Sequence, residues 1–327
     1  MPRLLDLPAL APGERVQDVL LVLAVEQKSY TGGVYTVLTL SNASGTIDTA
    51  PVWDNERQLI EGVRKRHVVQ VIGEVTLYDG RRQLALTALS VLPESTVQPA
   101  HLLPSVGAVT RYWETLDGWR REIRKPRLSQ VLALFYEEDD FRRRYGECPA
   151  SINGHHARVG GLLKHTTEVA AIARTIARTA GGDPELVLAG ALLHDIGKLE
   201  AYSWDGIFDY TEAHYLTGHV VLGARMLDRR LREAAIPCTP REQELLAHLI
   251  LSHHGQLEFG SPVRPVTLEA EILHWADNAS AKTASMADAL KDAAAFGGEP
   301  IAQRKFWQLD HRRPFRGTSD WGDPQPP

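Results

Sequence analysis

The sequence predicts a multidomain α+β protein in which a small five-stranded β-barrel precedes an all-α helical bundle. Three observations carry that prediction. Segments rich in β-branched residues are confined to residues 15–92, three prolines break the pattern across residues 93–104, and from Ser105 onward apolar residues recur at three- and four-residue spacing.

The strands come first. VQDVLLVLAVEQKSY (16–30) and VYTVLTLSN (34–42) are split by the turn residues Thr31-Gly32-Gly33. Asn42-Ala43-Ser44-Gly45 turns the chain into a third strand, TIDTAPVW (46–53), and NERQLIEGV (55–63) reads as a short helix. HVVQVIGEVTLY (67–78) and RQLALTALSVL (82–92) flank Asp79-Gly80, a strong hairpin signal. Five strands with a helix between the third and fourth is the order of an OB-fold barrel, a frequent binder of single strands. PESTVQPAHLLP (93–104) is a linker. The helical part then runs through residues 111–146, 158–180, 184–198, 219–234, 240–255 and 267–290, several of these segments opening on proline and closing on glycine. The stretch after Gly297 has no clear period.

With 327 residues, 43% hydrophobic and 24% charged, the chain has room for two cores. No run of about 18 apolar residues offers a membrane span. The N-terminus, broken by prolines and acids, does not read as a signal peptide. Cys148 and Cys238 are isolated, which excludes a disulfide framework and a thiolate metal site, so a reducing cytoplasm is expected. A net charge of −5 argues against a protein that coats nucleic acid, but leaves room for an enzyme acting on it.

Histidine is the compositional anomaly. Of 13 histidines, His155, His156, His165, His194, His214, His219, His248, His253, His254 and His274 fall in the helical part. His194-Asp195 ends the apolar segment ALLHDIGK, where two adjacent ionisable groups are costly unless something pairs with them. His165 lies on the preceding helix, His219 starts the following one, His253-His254 ends another, and Asp277 sits on the last long helix. Any one of these is most simply a core histidine. The ordered set H…HD…H…HH…D is what a helical bundle uses to bring imidazoles and carboxylates to one metal-binding cavity.

That series resembles the HD-domain phosphohydrolase superfamily. The stretches GHHARVGGLLKHT, AGALLHDIGK and LILSHHGQLEFGSPVRPVTLEAEILHWADNASAK, behind an OB-like domain, are similar to the YhaM-type 3′→5′ exonucleases over roughly residues 15–290. The resemblance implies an OB-fold domain at 1–95, a linker and leading helices at 96–150, an HD phosphohydrolase domain at 151–296 and a C-terminal tail at 297–327. It implies two divalent ions. His165, His194, Asp195 and Asp277 would hold one, His219, His253 and His254 the other, and Asp195 would bridge them. Manganese is the first choice for a mixed histidine–carboxylate set, with Mg2+, Co2+, Fe2+ or Zn2+ as alternatives. Lys198 is expected beside the scissile phosphate, although a lysine stabilising a helix end is the plain reading. His155, His156 and Arg264 are further candidates for substrate contact.

The implied activity is metal-dependent hydrolysis of single-stranded RNA or DNA from the 3′ end to 5′-mononucleotides, by a homo-oligomer with no membrane association. In the barrel, Tyr35, Trp53 and Tyr78 would stack bases, with Arg81 and Arg82 nearby. The alternative for the aromatics is barrel core. Nine Lys/Arg against eleven Asp/Glu over residues 1–95 make this surface a modest binder. The basic and aromatic stretch FWQLDHRRPFRG suits either nucleic acid or packing on the bundle, with packing preferred. A cyclic-dinucleotide phosphodiesterase would carry glycine-tyrosine-proline after the double histidine, and SHHGQLEFGSPVRP lacks it. A nucleotidase would not need His219, His253 and His254. A non-catalytic adaptor with a structural metal would not need Lys198.

Overall fold

The computed structural model describes residues 5–93, 95–292 and 295–317. Strands β1 (Arg15–Tyr30), β2 (Gly33–Asn42), β3 (Gly45–Thr49), β4 (Val52–Trp53), β5 (Val68–Tyr78) and β6 (Arg81–Val91) make the N-terminal domain. The long β1 is shared. Its first half pairs with β5 and its second half with β2, across an irregularity at Val22/Ala24. Parallel pairing of β3 with β6 closes the ring, giving the predicted five-stranded OB-like barrel. Inward residues such as Leu20, Leu38, Leu40, Val69, Val71 and Leu84 fill it.

Two details differ from expectation. The third predicted strand is cut at Pro51, which lacks a ladder donor, and the remnant β4 pairs separately with Tyr35 and Thr36 of β2. Residues Asp54–Ile60 form a 3-10 turn rather than an α-helix.

The helical domain comprises α1 (Thr110–Arg120), α2 (Pro126–Tyr136), α3 (Asp139–Glu147), α4 (Gly161–Ala180), α5 (Pro184–Leu193), α6 (Lys198–Ala201), α7 (Glu212–Thr217), α8 (His219–Glu233), α9 (Pro240–Ser252) and α10 (Leu268–Lys291). Their starts follow from local chemistry. The Asp183 carboxylate accepts from the Glu185 and Leu186 amides ahead of α5, Thr239 and Glu242 form a capping box at α9, and Thr267 caps α10. A small hairpin, β7 (Tyr202–Ser203) with β8 (Asp209–Tyr210), lies between α6 and α7 and has no counterpart in the sequence reading.

The connection between the domains is tied down on both sides. The Ser41 hydroxyl donates to the Leu102 carbonyl at 2.8 Å, and the Ser105 amide donates to the Ala43 carbonyl. Leu102 and Leu103 pack with Leu21 and Val68 of the barrel and with Val159, Trp204 and Phe208 of the bundle. The segment 295–317 packs through Phe296, Ala302, Phe306 and Leu309 onto Ala289 of α10, so the packing expectation holds for the described part of the tail.

One contact sets the geometry of the later site. A Cβ on Gly197 would lie 2.0 Å from the His219 carbonyl oxygen and 2.4 Å from the Gly223 amide nitrogen. The turn after His194-Asp195 therefore touches the backbone of α8, and only glycine permits it. Gly197→Ala is expected to cost about 1–3 kcal/mol in denaturant unfolding. Gly118→Ala in α1, where the added methyl meets nothing within 4 Å, should gain about 0.5–1 kcal/mol. Equal midpoints for the two variants would contradict this packing.

Candidate metal centre

Five elements converge on Asp195. His165 comes from the first turns of α4, His194 and Asp195 from the end of α5, His219 from the start of α8, His253 and His254 from the end of α9, and Asp277 from α10.

The ligand-type atoms fall into two groups, His165–His194–Asp277 and His219–His253–His254, each within 4.8 Å internally. His165 Nε2 lies 3.1 Å from Asp277 Oδ1 and 3.4 Å from His194 Nε2. Asp195 faces both groups: Oδ2 is 3.1 Å from His194 Nε2 and 3.6 Å from His165 Nε2, while Oδ1 is 3.4 Å from His219 Nε2 and 3.7 Å from His253 Nε2. Among the described residues, Asp195 Oδ1, His219 Nε2 and His253 Nε2 are buried without a hydrogen-bond partner. Leaving one such atom unsatisfied costs about 1–3 kcal/mol, so three in one cavity call for a common partner. A divalent cation fits this imidazole and carboxylate donor set.

The rings are presented for ligation. His194 Nδ1 donates to the Ala191 carbonyl at 2.8 Å, His253 Nδ1 to the Ile250 carbonyl at 2.7 Å and His254 Nδ1 to the Phe259 carbonyl at 2.6 Å. A carbonyl only accepts, so the proton sits on Nδ1 and the Nε2 lone pair faces the cavity. His165 uses side chains instead: its Nδ1 donates to Ser280 Oγ at 3.1 Å, which donates to Glu168 Oε2 at 3.0 Å. His156 Nε2 meets that same carboxylate oxygen at 2.8 Å.

Electrostatics follow the geometry. Burial alone would raise the Asp195 carboxyl, but Lys198 Nζ at 2.6 Å and His194 hold it well below the usual range. Burial likewise opposes charge on Asp277 and is outweighed by the adjoining imidazoles, His165 first, so its pKa is lowered. Burial keeps His219 and His253 well below the ordinary imidazole value, and therefore neutral as ligation requires. At His194 burial is outweighed by Asp195, which raises its pKa and marks Nε2 as a place where positive charge is favoured. Burial also lowers Lys198, and Asp195 more than restores it, so the ammonium stays charged.

The other expected residues are distributed as follows. His155 sits on the loop before α4 with its ring centroid 5.1 Å from that of His165, its Nε2 buried and unpaired among the described residues, and its pKa pushed down to about 3 by burial and by His165. Lys198 is buried against Asp195. Arg264 is exposed on the segment leading to α10. In the barrel, Trp53 is 39% exposed and packs edge-on to Tyr30, with Tyr35 completing a surface cluster. Neither Tyr35 nor Trp53 belongs to the barrel core. Tyr78 and Arg81 are exposed at the β5–β6 hairpin tip, and the Arg82 guanidinium donates to the Pro8 and Leu10 carbonyls.

Sequence reasoning missed Ser280 and Glu168. Both lie three residues beyond a ligand candidate on the same helix face, Ser280 after Asp277 and Glu168 after His165, which is the signal that would have found them. His274, which is outside the expected ligand series, holds the turn after the double histidine. Its Nδ1 donates to the His253 carbonyl at 2.9 Å, and its ring fills the space where a Gly255 Cβ would stand. His248 Nε2 accepts from the Val266 amide, and His214 stacks on Tyr210 with centroids 3.9 Å apart.

If Ser280 orients His165, Ser280→Ala should weaken binding of the first divalent ion about 10–100-fold in a calorimetric titration. An unchanged affinity would mean that packing alone holds the ring.

Known proteins match this chain as follows. The family model described as HD domain covers residues 162–282. The 3′-5′ exoribonuclease YhaM of Bacillus subtilis is 31% identical over 288 residues, spanning 85% of this chain and 88% of that protein. The proteins of the same description from Bacillus velezensis and Bacillus licheniformis are 31% and 30% identical over the same shares of the chains.

Proposed function

The chain belongs to the YhaM-type family of OB-fold and HD-domain proteins, and from that premise we propose that it is a metal-dependent 3′→5′ exonuclease of single-stranded nucleic acid. The observation that carries the reading is the pair of three-residue clusters sharing the Asp195 carboxylate, with Oδ1, His219 Nε2 and His253 Nε2 unpartnered among the described residues. His165, His194 and Asp277 would hold one ion, His219, His253 and His254 the other, and Asp195 would serve both. Bound divalent ions supply an acidified water and neutralise charge on the phosphate oxygens.

The remaining work falls to the chain. Lys198 keeps Asp195 ionised and aimed, and its ammonium adds positive charge where the phosphorane charge develops. The carbonyl-bound Nδ1 protons keep His194, His253 and His254 in one tautomer, so no reorganisation accompanies turnover. His155 and His156 border the His165 side of the centre and are the proposed contacts for a substrate phosphate, with Arg264 a more distant candidate. The exposed Tyr35–Trp53 cluster offers base faces a sequence-tolerant platform, and Tyr78 and Arg81 extend that surface. Nothing in these contacts reads a 2′-hydroxyl, so RNA and single-stranded DNA are both proposed substrates, with manganese as the ion. The relatives are named as exoribonucleases, which favours RNA. No helix among the described residues is long and apolar enough to cross a membrane, and a cytoplasmic homo-oligomer belongs to the same proposal.

A 5′-labelled oligonucleotide incubated with the protein and Mn2+ should give a ladder that shortens from the 3′ end. Asp195→Ala should abolish it while the barrel stays folded by circular dichroism. An intact oligonucleotide beside cleaved cyclic dinucleotide would sink the exonuclease reading. Lys198→Met should keep its ions by elemental analysis yet lose about 10²–10³ in kcat. Loss of the ions instead would limit Lys198 to holding Asp195.

A further inference from the structure

Two clefts outside the metal centre share walls. The first, about 540 Å3, lies between the barrel and the end of α10 and is lined by Asp48, Arg81, Arg82, Lys291, Asp292 and Arg304 among others. The second, about 180 Å3, has Asp292 and Arg304 in common with it and ends on His155, whose ring adjoins His165 of the metal centre. Together they run from the barrel, past the C-terminal segment, to His155, the neighbour of His165. Basic residues outnumber acidic ones four to two in the first cleft, against the balance of the chain as a whole. Such a locally positive first cleft in an acidic protein suits a polyanion that both domains handle, while the second sets Arg304 beside Asp288 and Asp292.

We propose that this groove is the track along which a single strand passes from the barrel to the metal centre, with Arg81, Lys291 and Arg304 contacting its phosphates. The proposal rests on the exonuclease reading and assigns the C-terminal segment a part in it. Arg304 is held in place: its guanidinium lies 4.2 Å from the Phe306 ring centroid and pairs with Asp292 at 2.7 Å. Phe306 is itself buried against α10, so the segment carries the charge on a rigid base. Lys291 pairs with Asp288 at 3.3 Å, and Arg81 has no ion pair among the described residues. Exposed pairs of this kind are screened and weak, so a phosphate exchanges for the carboxylate at little cost. Arg82 differs, because its donors are spent on the Pro8 and Leu10 carbonyls, where it fixes the N-terminal segment beside the cleft.

The test uses the full chain with Mn2+ and a fluorescent 20-mer whose phosphorothioate linkages resist cleavage, with binding read by anisotropy across a salt series. Arg81→Ala, Lys291→Gln and Arg304→Gln should each weaken binding several-fold. Each should also lower the slope of log Kd against log salt by about 0.7, the value for one phosphate contact on a single strand. Arg232→Gln, on α8 and paired with Asp228, should alter neither. With cleavable strands, the variants should lose at least tenfold more kcat/KM on a 20-mer than on a dinucleotide. Unchanged salt slopes in all three variants, or equal losses at both lengths, would overturn the track. If the wild-type chain binds the 20-mer but leaves cleavable strands intact, the exonuclease reading fails, while the slopes still decide whether the groove holds the strand.

Discussion

The structure is organised around one carboxylate that has been taken almost entirely out of water. Asp195 is 1% exposed, and an ion of its size loses several kcal/mol of hydration on such burial. Lys198 alone, at 2.6 Å from Oδ2, answers half of that problem. The other oxygen faces His219 and His253 without a hydrogen bond, and the His253 ring, protonated on Nδ1, faces it with a lone pair. An acceptor among acceptors is repulsive, and a cation between them turns the repulsion into coordination. The helix ends that meet at Asp195 are therefore coupled through it, and the packing of Gly197 on α8 fixes how closely they meet.

The two domains are less independent than a barrel and a bundle joined by a proline-rich stretch would suggest. The connecting residues Leu102 and Leu103 are buried in a cluster with members from both sides, the Ser105 amide bonds to the Ala43 carbonyl, and Pro104 and Val106 on either side of it share backbone bonds with Val159. A barrel held in this way presents its hairpin tip at a constant position relative to α10. That constancy allows residues as far apart in sequence as Arg81 and Arg304 to line one groove.

Much of this was legible in the sequence, and the reasons are physical. The strand order survived because each strand is bounded by strong turn residues, Thr31-Gly32-Gly33 and Asp79-Gly80 above all. The gathering of the seven metal-ligand candidates in one cavity was foreshadowed by their ordered series, since buried ionisable groups are costly without a shared role. What failed to show were features that depend on partners distant in sequence. Pro51 cut a strand that alternated only in part, and the 54–60 segment had too few residues to show whether its turns close at three residues or four. The β7–β8 hairpin is only two residues per strand, below the length at which alternation is visible. Ser280 and Glu168 carry a local signal, three residues beyond Asp277 and His165, but their bond to each other exists only once α4 and α10 are laid side by side.

The way the histidines are oriented also bears on how this centre can change over generations. His194, His253 and His254 are aligned by main-chain carbonyls of Ala191, Ile250 and Phe259, and a carbonyl is supplied by whatever amino acid occupies the position. Codon changes at those three sites leave the acceptor in place. His165 has no such insurance, since its alignment passes through the side chains of Ser280 and Glu168. Genetic drift that spares every proposed ligand can still erode the alignment of His165 at these two residues, and His194, His253 and His254 are shielded from that route.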